Sequence, residues 1–182
     1  MSYAIKKGIH YGDVKPTNII KFKNSYKIGD WGTASLKDYG VGNTMTVNSS
    51  KSIVGTLLYM APELQDVFER DANISTRGIL SDQQKVKINF EKTDIFSLGL
   101  LVLEVYFGFQ KHHLKKIKQK ISESDYNLSE QLFRLKPKCP AKFCQLVSVM
   151  LSYEHEKRPS FGQLEKFFDE WDKFAEEGGP GF

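Results

Sequence analysis

The sequence predicts a mainly α-helical body with one small β-hairpin near its front, and three observations predict it. Residues Ile95 to Phe109, "IFSLGLLVLEVYFGF", are apolar on nearly every face, and a helix apolar all round belongs inside a globule. Two later stretches repeat apolar residues at helical spacing: Phe143, Leu146, Val147, Met150 and Leu151, then Phe161, Leu164, Phe168 and Trp171. Against these stand two short apolar runs, "NIIKF" and "YKIGD", separated by "KNS". They read as a hairpin of two short strands.

Taken in order, residues 3–8 end a helix, with Gly8 as its stop. The hairpin follows. Residues 33–56 are rich in Gly, Ser, Thr and Asn without periodicity, which predicts a long loop of the kind that is functional or mobile. Residues 61–68 form a short helix, and the polar stretch 69–90 is an inserted surface loop. Residues 92–108 form the buried helix. Residues 111–121 form a basic helix, "KHHLKKIKQK" and Ile121, read as a solvated face rather than a docking patch. Pro140 suits the first turn of a helix over 140–151. The last helix starts at Ser160, which makes a capping box with Gln163. The tail "EEGGPGF" frays.

The chain has 182 residues, 40% hydrophobic and 26% charged, with a formal net charge of +4. That suits one domain or a large piece of one. The charge is too modest to imply nucleic acid. The apolar run at 95–109 is too short to span a bilayer and carries Glu104, so no membrane partner is expected. No basic-then-apolar leader follows Met1, so a cytoplasmic or otherwise intracellular location is expected. Cys139 and Cys144 are too few for a disulfide framework and lack metal-site spacing, and are read as reduced thiols.

The chemistry concentrates in "HYGDVKPTNIIKF", His10 to Phe22, and in "GDWG", Gly29 to Gly32. A hairpin brings its two ends together. Asn18 enters the first strand and Asp30 leaves the second, so they lie near each other. Two oxygen-bearing side chains held close suit a hard cation such as Mg²⁺. Asp13 and Lys15 sit on the loop just before. One carboxylate for a hydroxyl, one ammonium for a phosphate and two metal ligands make a phosphoryl-transfer kit.

The order Asp13-Val14-Lys15-Pro16-Thr17-Asn18, then Asp30-Trp31-Gly32, then Gly55-Thr56 and Ala61-Pro62-Glu63, then Asp94 and Ser97-Leu98-Gly99, then Arg158-Pro159 resembles the eukaryotic protein kinases. The match covers nearly the whole chain as the larger, C-terminal lobe of a protein-kinase-like fold. Each motif alone is weak, but five in order are specific. The resemblance implies a lobe over 1–174, with a catalytic loop at 10–18, an activation segment at 30–63, the inserted loop at 69–90 and a flexible tail at 175–182. It implies that Asp13 is the catalytic aspartate and Lys15 neutralises the transferring phosphate. Asn18 and Asp30 ligate the metal, and Ile20 supports the adenine. Thr56 ties the substrate platform to Asp13 and Lys15. Glu63 and Arg158 form a buried ion pair, and Asp94 holds the backbone of the catalytic loop. ATP and Mg are the implied cofactors, and a protein Ser/Thr hydroxyl the implied acceptor. Lys15 and "GTLLYMAPE" resemble the serine/threonine branch.

Three features depart from the family pattern. Tyr11-Gly12 stands where His-Arg is usual, with Tyr11 expected to stack against Trp31. Gly12 has no guanidinium for a phosphate, so phosphorylation of Thr44, Thr46, Ser49, Ser50 or Ser52 is not expected to switch the site through position 12. The loop at 69–90 is longer than usual. No G-x-G-x-x-G and no Val-Ala-x-Lys precede Tyr3, so the small lobe is read as absent, supplied from elsewhere or by a partner. Apolar surface around Ile20 and Trp31 is then exposed. Two readings follow: a serine/threonine kinase catalytic lobe, inactive as this isolated chain, or a pseudokinase-like binding or regulatory module without phosphotransfer.

Overall fold

The computed structural model describes residues 2–23, 25–36, 45–47, 56–77 and 86–176. Gly55, Thr44, Ser49, Ser50 and Ser52, named above, lie outside them, as do 78–85 of the expected loop and 177–182 of the expected tail.

Helix α1 (Ser2–Lys6) leads into β1 (Ile9–His10) through Gly8 at φ +73°. A 3₁₀ turn at Pro16–Asn18 opens β2 (Ile19–Phe22), which pairs antiparallel with β3 (Ser25–Ile28). This is the expected hairpin, in the register Ile19 to Ile28. Then come a 3₁₀ turn at Trp31–Thr33, β4 (Ser35–Leu36) and β5 (Met45–Val47). Helices α2 (Pro62–Arg77), α3 (Phe90–Val105), α4 (Lys111–Lys120), α5 (Leu128–Leu135), α6 (Ala141–Met150) and α7 (Phe161–Glu176) follow, with β6 (Val86–Ile88) before α3. The fold is mainly helical with small antiparallel pairs. Among the described residues no helix is long and apolar enough to cross a membrane.

Four differences from the sequence reading stand out. Helix α2 runs on through Arg77 instead of stopping at 68, so the first part of the expected 69–90 loop is helix and its last part is β6. The run Asn73–Thr76 has weak helix propensity, and the helix propagates from the turns anchored by Leu64 and Val67, both buried. The 33–56 loop contains β4 and β5, whose partners are remote: Leu36 faces Ile9, and Met45 faces Ile88. The buried helix starts at Phe90, where Asn89 caps it by accepting from Lys92 N. Helix α5 has no counterpart in the sequence reading.

Helix α3 is the axis of the core. Phe96, Leu100 and Leu103 are fully buried and pack with Leu114 and Ile117 of α4, Leu128 and Leu132 of α5, and Phe143, Cys144 and Val147 of α6. Each fully buried side chain of this size contributes about 1.5–3 kcal/mol. Gly99 sets how closely the chain after α6 approaches α3: a Cβ there would lie 2.9 Å from Leu151 Cγ. The expected capping box forms, with Gln163 N bonded to Ser160 Oγ and Ser160 N to Gln163 Oε1.

Candidate active site

The loop between β1 and β2 gathers four of the residues singled out above. Asp13 is buried, and each of its carboxylate oxygens takes two hydrogen bonds. Thr56 donates to Oδ1 from its amide (3.1 Å) and its hydroxyl (2.9 Å). Asn18 Nδ2 donates to Oδ2 at 3.1 Å, and Lys15 Nζ lies 2.6 Å from the same oxygen. Lys15 also donates to Thr56 Oγ1 at 3.1 Å. Burial pushes the Asp13 carboxyl up. Hydrogen bonds from Lys15 and Thr56, the Lys15 charge and the bond from Asn18 outweigh it and hold the group below the ordinary carboxylate range.

Asn18 is buried in the 3₁₀ turn. Its Nδ2 also donates to Asp13 O at 2.9 Å. Both neighbours of that nitrogen are acceptors, which fixes the amide orientation and turns Oδ1 away from Asp13. The hairpin brings its ends together as its register requires: Gly29 N donates to Asn18 O at 2.8 Å. Asp30 follows at φ +49°, ψ +72°, a left-handed conformation uncommon for Asp, and its Oδ1 accepts from Gly32 N at 3.4 Å. That exposed carboxylate bonds its own turn and not the Asp13 cluster. Among the described residues no three His, Cys, Asp or Glu side chains form a metal cage. Asn18 and Asp30 offer the hard oxygen donors that Mg²⁺ takes together with water and phosphate oxygens, so the residues present fit that ion.

Ile20 on β2 is 53% exposed and Trp31 45% exposed. Ile20 lies across Gly29, where a Cβ would come within 2.5 Å of its Cδ1. Tyr11 meets Trp31 edge-on, with ring centroids 5.1 Å apart, and its hydroxyl donates to Gly29 O at 2.5 Å. Thr33 Oγ1 donates to Tyr11 O.

Beneath the loop, Asp94 of α3 is fully buried and accepts from Tyr11 N (3.1 Å) and Gly12 N (3.0 Å). His10 Nδ1 lies 3.0 Å from Asp94 Oδ2, with its ring against Phe90. Glu63 and Arg158 form a bidentate pair at 2.7 and 2.9 Å.

The structure therefore brings Asp13, Lys15, Asn18 and Thr56 into one hydrogen-bonded cluster, with Asp94 under it, Tyr11 against Trp31 and Glu63 on Arg158. Asp30 stands at the hairpin's end, one residue past the Gly29–Asn18 backbone bond. The sequence reading gave no role to His10, to Ser97 as an anchor (its hydroxyl donates to Tyr59 O at 2.7 Å), or to Lys118. Ser97 carried a signal. Asp94, Ser97 and Glu104 recur on α3 within an arc of about 80° at 100° per residue, a polar stripe on a helix that is apolar elsewhere beyond its first turn.

Comparison with known proteins gives the family. The protein kinase domain family matches residues 1–168. The chain is 29% identical over 163 residues to a Wee1-like protein kinase of Oryza sativa subsp. japonica, covering 88% of this chain and 24% of that protein. It is 30% identical over 169 residues to calcium-dependent protein kinase 6 of Plasmodium berghei (87% and 9%). It is 26% identical over 170 residues to the probable serine/threonine-protein kinase kinX of Dictyostelium discoideum (90% and 12%). The chain thus spans between 9% and 24% of the length of these relatives. With the family matched over most of its length and the residues of the family's motifs gathered around Asp13, this chain belongs to the protein kinase domain family.

Proposed function

We propose that this chain carries the catalytic lobe of a serine/threonine protein kinase, moving the terminal phosphoryl of ATP to a protein hydroxyl. The observation that supports this best is the Asp13 cluster, a buried carboxylate wrapped by Lys15, Asn18 and Thr56. When bound, Mg²⁺ and ATP supply the transferable phosphoryl and the charge that draws a nucleophile to it. Asn18 and Asp30 would hold the metal, and Ile20 would lie under the adenine.

Asp13 then has a defined task. A carboxyl held below its ordinary range is a weak base, so it aligns the acceptor hydroxyl and takes its proton late. Both its oxygens are already saturated by four donors. Thr56 and Asn18 are fixed by backbone or burial. Lys15 is on a long side chain, 24% exposed, and is the donor able to swing to a phosphate oxygen. Its departure frees a lone pair on Oδ2 for the hydroxyl. The serine/threonine assignment rests on Lys15, on "GTLLYMAPE" and on the similarity to the Dictyostelium probable serine/threonine-protein kinase. The ATP requirement and two buried free thiols, Cys139 and Cys144, support an intracellular setting.

The alternative, a kinase-like binding module without phosphotransfer, is favoured by one observation: the Asp30 carboxylate engages Gly32 and not the Asp13 cluster. With the small lobe present, in the full-length protein or added as a partner, phosphate transfer from labelled Mg-ATP to Ser/Thr peptide libraries separates the two, since the lobe alone is expected to be inactive. The kinase reading expects transfer that Asp13→Asn abolishes. It also expects thermal stabilisation of about 2.7 kcal/mol at a hundredfold excess of nucleotide over Kd. Neither transfer nor stabilisation at millimolar Mg-ATP establishes the binding module instead.

A further inference from the structure

Helix α4 carries five lysines and no acid in ten residues. Lys111, Lys115, Lys116 and Lys120 are exposed. Lys118 turns inward. Its Nζ lies 2.8 Å from Met60 O, 3.1 Å from Leu57 O and 3.4 Å from Leu58 O. An ammonium has three N–H donors, and here three backbone carbonyls receive them. Among the described residues no carboxylate pairs with it. Burial pushes the ammonium down to about 8, with the more distant Glu69 of α2 opposing the shift. A lysine that could extend into water beside its four neighbours is instead partly desolvated against one segment of main chain.

That segment begins at Thr56, whose amide and hydroxyl hold Asp13, and runs into α2. Its four successive carbonyls are all taken by side chains from two helices. Lys118 of α4 holds 57, 58 and 60, and Ser97 of α3 holds 59 at 2.7 Å. The Tyr59 hydroxyl bonds the Glu104 carboxylate of α3, and burial keeps that phenol protonated. The main chain on the C-terminal side of Thr56 is therefore pinned from below and from one flank.

We infer that Lys118 is a positioning residue: by holding the carbonyls of Leu57, Leu58 and Met60 it fixes Thr56 on Asp13 and shapes the surface that receives the protein acceptor, leaving nucleotide binding to other residues. This rests on the phosphotransfer reading above. Lys118 touches neither Asp13 nor Asn18 and acts through the segment alone.

The test compares Lys118→Met and Lys118→Arg with wild type in the protein that has its small lobe, full-length or supplied as a partner. Methionine keeps the stem and removes every donor, while arginine keeps donors that do not titrate. For Lys118→Met, kcat/KM toward a phosphorylatable peptide falls about ten- to a hundredfold, the loss expected from a displaced positioning group, with KM for ATP unchanged. Lys118→Arg recovers most of it. Wild type loses peptide turnover above about pH 8, as the ammonium becomes an amine with two N–H for three carbonyls, relative to a flatter Lys118→Arg profile. The charged group that acts on this nitrogen, Glu69 of α2, is identical in both proteins. A methionine variant that raises both KM values alike, or an arginine variant no better than methionine, overturns the inference. Should Lys118→Met not fold, the wild-type and arginine pH profiles decide, and superimposable profiles overturn it. Should wild type transfer no phosphate, the phosphotransfer reading fails, and hydrogen exchange decides the role of Lys118. The Tyr59 and Met60 amides, bonded to Thr56 O, then exchange faster without the ammonium, in Lys118→Met or in wild type above pH 8 relative to Lys118→Arg, while α6 amides do not change. Unchanged exchange at 59 and 60 overturns it.

Discussion

Glu63→Gln is the perturbation whose effect the structure specifies most closely. Arg158 is 1% exposed, and all five of its N–H donors have partners. Two go to the Glu63 carboxylate, at 2.7 and 2.9 Å. Three go to the carbonyls of Ser152 (2.8 Å), Lys92 (3.0 Å) and Tyr153 (3.1 Å). The guanidinium also sits 4.7 Å from the centroid of Phe96. Glutamine keeps the shape of Glu63 but brings an NH₂ against an NH₂ and leaves the guanidinium charge without a counterion. Breaking a buried pair from one side costs about 3–5 kcal/mol. For a chain of this size that is a fall in Tm of about 6–20 °C. Urea unfolding of the purified protein, followed by far-UV circular dichroism and tryptophan fluorescence, measures it. The double variant Arg158→Met, Glu63→Leu recovers part of the loss and not all, because the three carbonyls lose their donor. A loss below about 1 kcal/mol for Glu63→Gln would refute the reasoning, since it would put the pair among the weak solvent-screened kind.

Gly12 has φ +81°, and a Cβ there would lie 3.0 Å from His10 Nε2. Gly12→Ala therefore costs about 1–2 kcal/mol of backbone strain in urea unfolding, and an unchanged midpoint would show that the loop relaxes freely. The folded-state pKa of Asp13 lies below the unfolded value of about 3.9, so its stabilisation is complete above that pH and is lost as pH falls through the lower folded pKa. Lys15→Met raises the Asp13 titration observed by carboxyl ¹³C NMR; no movement would mean that Lys15 does not hold the proton off. Burial, then the bond and proximity to Cys139, pushes the Cys144 thiol up to about 12. Neither Cys139 nor Cys144 should label with a disulfide reagent at pH 8 unless urea is added, and prompt native labelling would show that the helix α5–α6 corner opens.

What was legible in the sequence divides by the range of the interaction. The hairpin at Ile19–Ile28, the buried helix α3 and the Ser160–Gln163 box rest on local patterns, so periodicity and capping chemistry were sufficient. Helix α5 had a local signal that went unused. Asn127 accepts from Glu130 N, the spacing of an N-terminal cap, and Leu128 and Leu132 are its buried face. The strands β4 and β5 had no such signal, because two- and three-residue strands are defined by partners far along the chain. The same division holds at the site. Asp13, Lys15 and Asn18 are close in sequence and were read as a unit, while Thr56 and Asp94 entered through resemblance alone. Lys118 was hidden by its neighbours: in a run of five lysines, composition cannot tell which one faces inward.

The polar stripe on α3 gives a physical reason for this arrangement. A catalytic loop must be irregular to converge its side chains, and irregular backbone leaves N–H and C=O groups that need partners. Helix α3 supplies them from one rigid, buried element. Asp94 takes two amides of the loop, and Ser97 and Glu104 hold the segment that presents Thr56. The Lys92 carbonyl holds Arg158, which in turn fixes Glu63 at the start of α2. The hydrophobic faces of α3 set its position against α4 and α6, so core packing and site geometry are the same constraint. An apolar substitution along that stripe would leave buried loop amides or carbonyls unpaired, at about 1–3 kcal/mol each. It would also displace Asp13 or Thr56 without touching either, so stability and chemistry at this site are expected to fall together for α3 variants.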